Sequence, residues 1–263
     1  MAIELDKHTF NGGTIDGSLP EGYRLSLPKL DGQVYSLAQL DNYIKMQRSH
    51  FPFQPPFSFD LEARASGPDL PGTWGFGLWN DPFSLGMGAG GMSRILPVLP
   101  NAAWFFYASP ENHLTLYDHL PGSGFLARTY RSPLLPGMFS LLTLFLFPLV
   151  ISKWGRRFLR RAARLVVKED ARLLNVDVLE WHRYGLDWQE KEVTFFVDGE
   201  AIFNTRISPR GKQGFALWMD NQYFRFDSSG RMAFGFSPVS DAQELQIRAF
   251  NISSGEDIDE AIT

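Results

Sequence analysis

Hydrophobic and polar positions alternate with a period of two through long stretches of the chain. Tyr184, Leu186 and Trp188 alternate with Arg183, Gly185 and Asp187, and Val193, Phe195 and Val197 alternate with Glu192, Thr194 and Phe196. This is the pattern of half-buried strands. Asp198-Gly199 then fits a type I′ turn, whose two central residues both need positive φ. Residues 180–205 therefore predict three consecutive antiparallel strands. Residues 57–80 predict two more, joined by the Pro- and Gly-containing turn 67–72. Further strands are expected over 101–108, 214–224 and 244–252. Another is expected over 111–119, where His113, Thr115, Tyr117 and His119 would share one face and Asp118 the other. Residues 23–27 and 34–37 are expected as edge strands, and Pro52, Pro55 and Pro56 break the chain after them.

The pattern changes between 132 and 172. No residue from 132 to 152 is charged, and the stretch is dense in Leu, Phe and Val. About twenty apolar residues suffice to cross a bilayer. A single crossing is not expected, because strands before and after must pair in one structure, and Pro136 and Pro148 limit a straight helix. A segment lying in or on the membrane survives, with Leu141, Leu144, Phe145 and Phe147 as its apolar contacts. Residues 152–172 follow with eight basic side chains against Glu169 and Asp170. On a helical wheel Trp154, Phe158, Ala162, Leu165 and Val166 form one arc, and basic residues fill most of the rest. Trp154, Arg157, Arg160, Arg161 and Arg164 are the expected contacts with an anionic surface.

Composition sharpens this. The chain has 263 residues and a net charge of −4, so one basic segment stands on an otherwise acidic protein. Nucleic acid is not an expected partner, since the neighbouring stretch is Leu- and Phe-rich and the remainder acidic. The competing role for the apolar stretch is structural: a lid over the sandwich, or a homodimer contact. With 23 Phe, 7 Trp and 8 Tyr the chain is rich in aromatics, and Cys is absent. That removes disulfides, thiolate metal sites and thiol nucleophiles. Glu4 and Asp6 stand where a leader would carry basic charge, so a cytoplasmic home, peripheral at the membrane, is expected. Neither a cofactor nor a metal is expected. The Gly-rich run 86–91 lacks the helix and Lys of a phosphate cradle and reads as a rim loop. The tail 253–263 is acidic and is expected to be mobile.

The run Trp181-His182-Arg183-Tyr184-Gly185-Leu186-Asp187-Trp188, then Phe195-Phe196-Val197-Asp198-Gly199, resembles a signature of family 16 glycoside hydrolases within the concanavalin A-like lectin/glucanase superfamily. Residues 57–64 with 72–79 are similar to that family's strand pair, and 244–252 to its closing strand. The resemblance implies an all-β fold: a concanavalin-like jelly-roll β-sandwich of two antiparallel sheets, here one domain over 1–263 with a helical insertion at 132–172. It also implies that 101–108 is the strand bearing the family's E-x-D-x-x-E motif. This strand has no acid, so the family's retaining hydrolysis, which needs paired carboxylates, is not expected.

The leading expectation is a membrane-surface protein binding an apolar, lipid or glycolipid-like molecule on an aromatic concave face. Trp74, Trp79, Asn80, Trp104, Phe106, Tyr107, Trp218, Asn221 and Tyr223 are the candidate ligand contacts. The alternative is an enzyme, a cyclase, isomerase or lyase on an isoprenoid or lipid, or a divergent glycoside hydrolase. His113, Asp118, His119 and Asp220 would then serve as acid–base groups. The bland reading of 111–119 is a set of polar residues at a strand end.

Overall fold

The computed structural model describes residues 4–82, 98–134 and 147–254. Two antiparallel seven-stranded sheets face each other. The first contains, in spatial order, β1 (Asp6–Phe10), β4 (Leu37–Asp41), β13 (Gly214–Asp220), β6 (Thr73–Trp79), β7 (Ala102–Ala108), β8 (Gly124–Arg131) and β9 (Lys168–Leu173). The second contains β12 (Glu200–Thr205), β11 (Val193–Val197), β10 (His182–Trp188), β5 (Phe57–Ala65), β16 (Gln243–Ser254), β3 (Gly22–Leu27) and β2 (Thr14–Ser18). A separate hairpin joins β14 (Gln222–Phe226) to β15 (Met232–Phe236), and α1 (Lys153–Val166) is the α-helix of the described residues.

The second sheet shows why its strands form. Along β5, Phe57, Phe59, Leu61, Ala63 and Ala65 are buried while Ser58, Asp60, Glu62 and Arg64 face outward. The outer row is closed by cross-strand ion pairs, Arg183 with Asp60 and Arg248 with Glu62. The inner row meets the first sheet in an aromatic core. Phe105 lies edge-on to Phe195 at 5.2 Å and to Tyr184 at 5.1 Å, and Phe76 is 5.3 Å from Tyr184. Such offset and edge-on contacts are the favoured ring geometries.

The first sheet behaves differently. In β7 and β8 almost every residue is buried, on both faces. That is why Ala102-Ala103-Trp104-Phe105-Phe106-Tyr107 reads as a continuous apolar run and not an alternating one. Its inner face packs on the core, and its other face is roofed.

Several expectations need correction. Residues 111–119 do not form a strand: they make a strap of turns held by an isolated bridge between His113 and Arg225. The basic segment is helical only to Val166 and then becomes β9, which pairs with β8. Glu169 and Asp170 therefore belong to the sheet. Ser253 and Ser254 also extend β16. The Gly-rich run 86–91, Leu141, Leu144, Phe145 and the tail from 255 lie outside the described residues. Phe147 opens a short 3₁₀ turn, Phe147–Val150.

The β11–β12 hairpin has the expected turn, with φ of 51° at Asp198 and 84° at Gly199. A Cβ added at Gly199 would meet nothing within 4 Å. Gly199→Ala should therefore test the dihedral alone, with a loss of about 1 kcal/mol from the left-handed backbone, read as a lowered denaturation midpoint with unchanged m-value.

Candidate functional site

The face of the first sheet that looks away from the core carries Gln39, Thr73, Trp79, Trp104, Phe106, Arg128, Tyr130, Trp218 and Asp220. Among the described residues three elements cover it: the strap 110–123, the β14–β15 hairpin and α1. Between sheet and cover lies a cavity of about 460 Å³, within the usual size range of small-molecule sites. Its wall is mainly aromatic and aliphatic, with Leu114, Leu116, Val167, Phe224 and Phe226 supplied by the cover.

The aromatic floor depends on a missing side chain. Trp218 of β13 reaches across β6 to Trp104, at 5.4 Å, and Phe106, at 5.6 Å, both on β7. Gly75 lies between them in register. A Cβ there would stand 2.9 Å from the Trp218 ring and 2.4 Å from the Phe105 carbonyl, so only glycine leaves the rings room to meet.

The polar groups fall into two sets. At one end, the Trp218 indole donates to Thr73 Oγ1 at 3.1 Å, and Thr73 donates to Asp220 Oδ1 at 2.7 Å. Burial pushes the Asp220 carboxyl up to about 7, against hydrogen bonds from Thr73 and Gln222 that favour its charged form. At the other end, Arg128 and Glu169 form a buried ion pair at 3.0 Å. Glu169 Oε1 also accepts from the backbone N–H of Leu116 at 2.6 Å and of Tyr117 at 2.9 Å. Arg128 donates to the Leu114 carbonyl at 2.9 Å. One strand pair thus holds the strap over the sheet.

Helix α1 is fixed by arginines. Arg160 is buried and donates to the carbonyls of Thr115 and Phe226, at 2.5 and 2.7 Å, and to Asp118 at 2.7 Å. Arg156 and Arg157 reach the carbonyls of Gly230 and Ser229, and Arg164 reaches Leu116 and Asp118. Ser152 caps the helix by accepting from Gly155 N at 2.9 Å. The basic side therefore faces the protein. Trp154 is 79 % and Leu165 80 % exposed, and Phe158 and Ile151 are exposed as well. For Arg157, Arg160 and Arg164 this reverses the expected direction, because buried carbonyls of the strap and hairpin need donors. Arg161 is exposed.

Of the expected acid–base residues, His113 and Asp220 line the cavity. Burial, and after it the Arg160 charge, lower the pKa of His113, so its ring is neutral near pH 7. Asp118 instead anchors α1. Desolvation of its carboxyl, which raises the pKa, is outweighed by the combined hydrogen bonds and charges of Arg164 and Arg160, which lower it. His119 is exposed and lies beside Tyr117, away from the lining.

Of the expected ligand contacts, Trp79, Trp104, Phe106 and Trp218 line the cavity. Trp74 and Tyr107 do not: they stack on each other at 5.4 Å in the core. Two adjacent residues of a strand cannot share a face, so Phe106 in the cavity puts Tyr107 in the core. Asn80 is a brace between Leu99 and Asn101. Asn221 likewise ties Ser36, Val34 and Ser237 together. Tyr223 lies over its register partner Gly235, outside the lining. Arg128, Tyr130, Thr73 and Gln39 went unread, although an arginine inside the apolar run of residues 125–130 was a signal of a charge held in a covered sheet.

No family model and no curated protein sequence matches the chain. Solved structures do. A Bacteroides ovatus mixed linkage glucan GH16 protein, in complex with a product, superposes with a TM-score of 0.50 at 9 % identity, covering 95 % of this chain and 94 % of its own. The fold is a concanavalin-like jelly roll. A laminarinase from a Flavobacterium species matches at TM-score 0.39 and 14 % identity, over 88 % of this chain and 77 % of its own. The binding domain of botulinum neurotoxin DC matches at 0.42 and 8 % identity over 98 % of this chain. The present chain spans under half of that one, 45 %. Among the described residues no group of three or more His, Asp or Glu is placed to hold a metal.

Asp220 gives a pH prediction. Its unfolded carboxyl titrates near 3.8 and its folded one near 7. Between these values the folded state keeps a proton that the unfolded state has released, so stability falls as pH rises through that window. Asp220→Asn, which keeps an acceptor for Thr73, should stabilise the chain above pH 7 by up to ~4 kcal/mol and change little at pH 4. Equal stabilisation at both pH values in denaturant titrations would contradict this assignment.

Proposed function

We propose that this jelly roll binds an apolar, lipid or glycolipid-like molecule in the roofed concave cavity, and that it works at a membrane surface. The observation that carries the reading is the aromatic floor under an apolar cover. A cavity of about 460 Å³ walled by Trp79, Trp104, Phe106, Trp218, Leu114 and Val167 gains most from a ligand that is itself apolar. Family 16 hydrolysis has no place in this reading, since the cavity-facing positions of β7 are Ala102, Trp104 and Phe106. We take the chain as one sandwich with an insertion over 132–172, of which α1 offers its apolar side to lipid while 168–172 belong to β9.

Support for the membrane comes from α1. Trp154, Phe158 and Leu165 of its apolar arc are exposed, while Arg156, Arg157, Arg160 and Arg164 are occupied within the protein. No helix of the described residues is long and apolar enough to cross a membrane, so the contact proposed is interfacial. Insertion of Trp154, Phe158 and Leu165 then contributes more than charge, with Lys153, Arg161 and Lys168 exposed beside them.

A second reading is favoured by one observation, the near-neutral Asp220 carboxyl inside an apolar cavity, which suits proton transfer. In that reading Asp220, with His113, acts on the bound lipid. Retained binding with lost turnover in Asp220→Asn, on a panel of lipids and glycans, would select it.

The membrane part is tested by co-sedimentation with liposomes. Trp154→Glu with Phe158→Glu should reduce binding about tenfold or more, whereas Arg161→Gln should have a smaller effect, confined to anionic vesicles. Undiminished binding by the double variant would exclude this contact. A lipid-independent dimer lost on the same substitutions would assign the arc to a second copy of the chain.

A further inference from the structure

Of the two polar ends of the cavity, the one at the β7–β8 pair gathers hydrogen-bond donors. Trp104 and Arg128 are register partners across these strands, which places their side chains side by side on the concave face. The strap crosses directly over them, since Leu114 accepts from Arg128, and it brings His113 to the same wall. Arg128 is 1 % exposed, and its Nε and Nη1 have no hydrogen-bond partner among the described residues. The indole Nε1 of Trp104 has none either, nor has Nε2 of His113, which donates or accepts according to its tautomer. Buried N–H groups in this condition lose their hydration without replacement. The Arg128 charge also rests on the Tyr130 ring, 4.8 Å away, but a ring face does not satisfy two N–H directions.

The charges nearby point the same way. Arg128, Arg160 and Arg164 stand against Glu169 and Asp118, which leaves one positive charge in excess. The acids of the lining lie elsewhere. Thr73 and Asp220 form a row four residues along β6 from the row of Gly77, Trp104 and Arg128, and Asp81 follows the opposite end of that strand.

We propose that the cavity selects amphiphiles with an oxyanion head, a carboxylate or a phosphate monoester on an alkyl chain. The head accepts from Arg128 Nε and Nη1 and from Trp104 Nε1, and the chain lies along the aromatic floor. This rests on the apolar-ligand reading above and adds the chemistry of the head. Planar guanidinium donors favour oxyanions over neutral hydroxyl heads and exclude cationic ones.

The test uses the full chain and four probes of one chain length: dodecanoate, dodecyl phosphate, dodecanol and dodecyltrimethylammonium, each below its micelle concentration or, for dodecanol, its solubility limit, with affinity measured by calorimetry. At least one oxyanion should bind about tenfold more tightly than dodecanol, and the tighter of the two identifies the head. In Arg128→Gln combined with Glu169→Gln, both charges of the ion pair disappear together, so no lone buried charge remains. That variant should lose the oxyanion preference: its dodecanoate-to-dodecanol and dodecyl phosphate-to-dodecanol affinity ratios should both fall toward one, whatever its absolute affinity for dodecanol. Arg128→Lys, which retains a cation for Glu169, repeats the measurement if the double variant does not fold, and should show a weakened preference. Equal affinity for dodecanol and both oxyanions in the unmodified chain, preference for dodecyltrimethylammonium, or a full preference in a folded variant would overturn the proposal. Binding of none of the four would overturn the apolar-ligand reading itself.

Discussion

The roof over the concave sheet depends on the Arg128–Glu169 pair. A guanidinium and a carboxylate, both nearly inaccessible to water, sit on neighbouring strands, a position that would be costly for either alone. They are tolerated because the strap answers them: Leu114 accepts from one, and the N–H groups of Leu116 and Tyr117 donate to the other. The strap in turn presents the Thr115 and Leu116 carbonyls and Asp118 to Arg160 and Arg164 of α1. Sheet, strap and helix are thus linked through charged hydrogen bonds, each stronger than a neutral one. Removing one partner would leave the others buried and unpaired.

Period-two patterns made the second sheet legible, because that sheet has one wet face and one dry face. β5, β10 and β11 could be read residue by residue, and the Asp198-Gly199 turn set the β11–β12 pairing. The first sheet was harder for a physical reason. With both faces covered, β7 has no polar residue to mark its orientation, so Phe106 and Tyr107 could both be taken for groove residues. Strand parity separates them only when one contact is known, and Trp74 stacked on Tyr107 supplies it.

The strap and the helix misled for the opposite reason: their patterns were real but their partners were not visible. His113, Thr115, Tyr117 and His119 alternate as a strand would, yet the hydroxyls of Thr115 and Tyr117 serve Glu169 and a carbonyl of α1. In α1 the wheel gave the axis of amphipathicity correctly without saying which side meets the protein. Arginine normally faces water, but five-donor guanidinium groups also satisfy exposed carbonyls of irregular segments. The strap and the β14–β15 turn offer many such carbonyls. Arg128 was missed because no motif marks it, and its meaning appears only when Glu169, forty-one residues away, is brought beside it.

The same helix forms a wall common to the cavity and the outside. Ala163 and Val167 line the interior, while Trp154, Phe158 and Leu165 lie on the other side. Burying three such side chains in an interface contributes about 1.5–3 kcal/mol each. Releasing the helix from the sandwich would forfeit the hydrogen bonds of Arg156, Arg157, Arg160 and Arg164, worth about 1.5–3 kcal/mol apiece where a charge is involved. The bonds to strap and hairpin outnumber the side chains, so their sum is the larger, and only the burial is gained without breaking anything. On the membrane reading proposed above, a helix held by its basic side offers its apolar side to lipid while staying in place, and docking does not require the roof of the cavity to open.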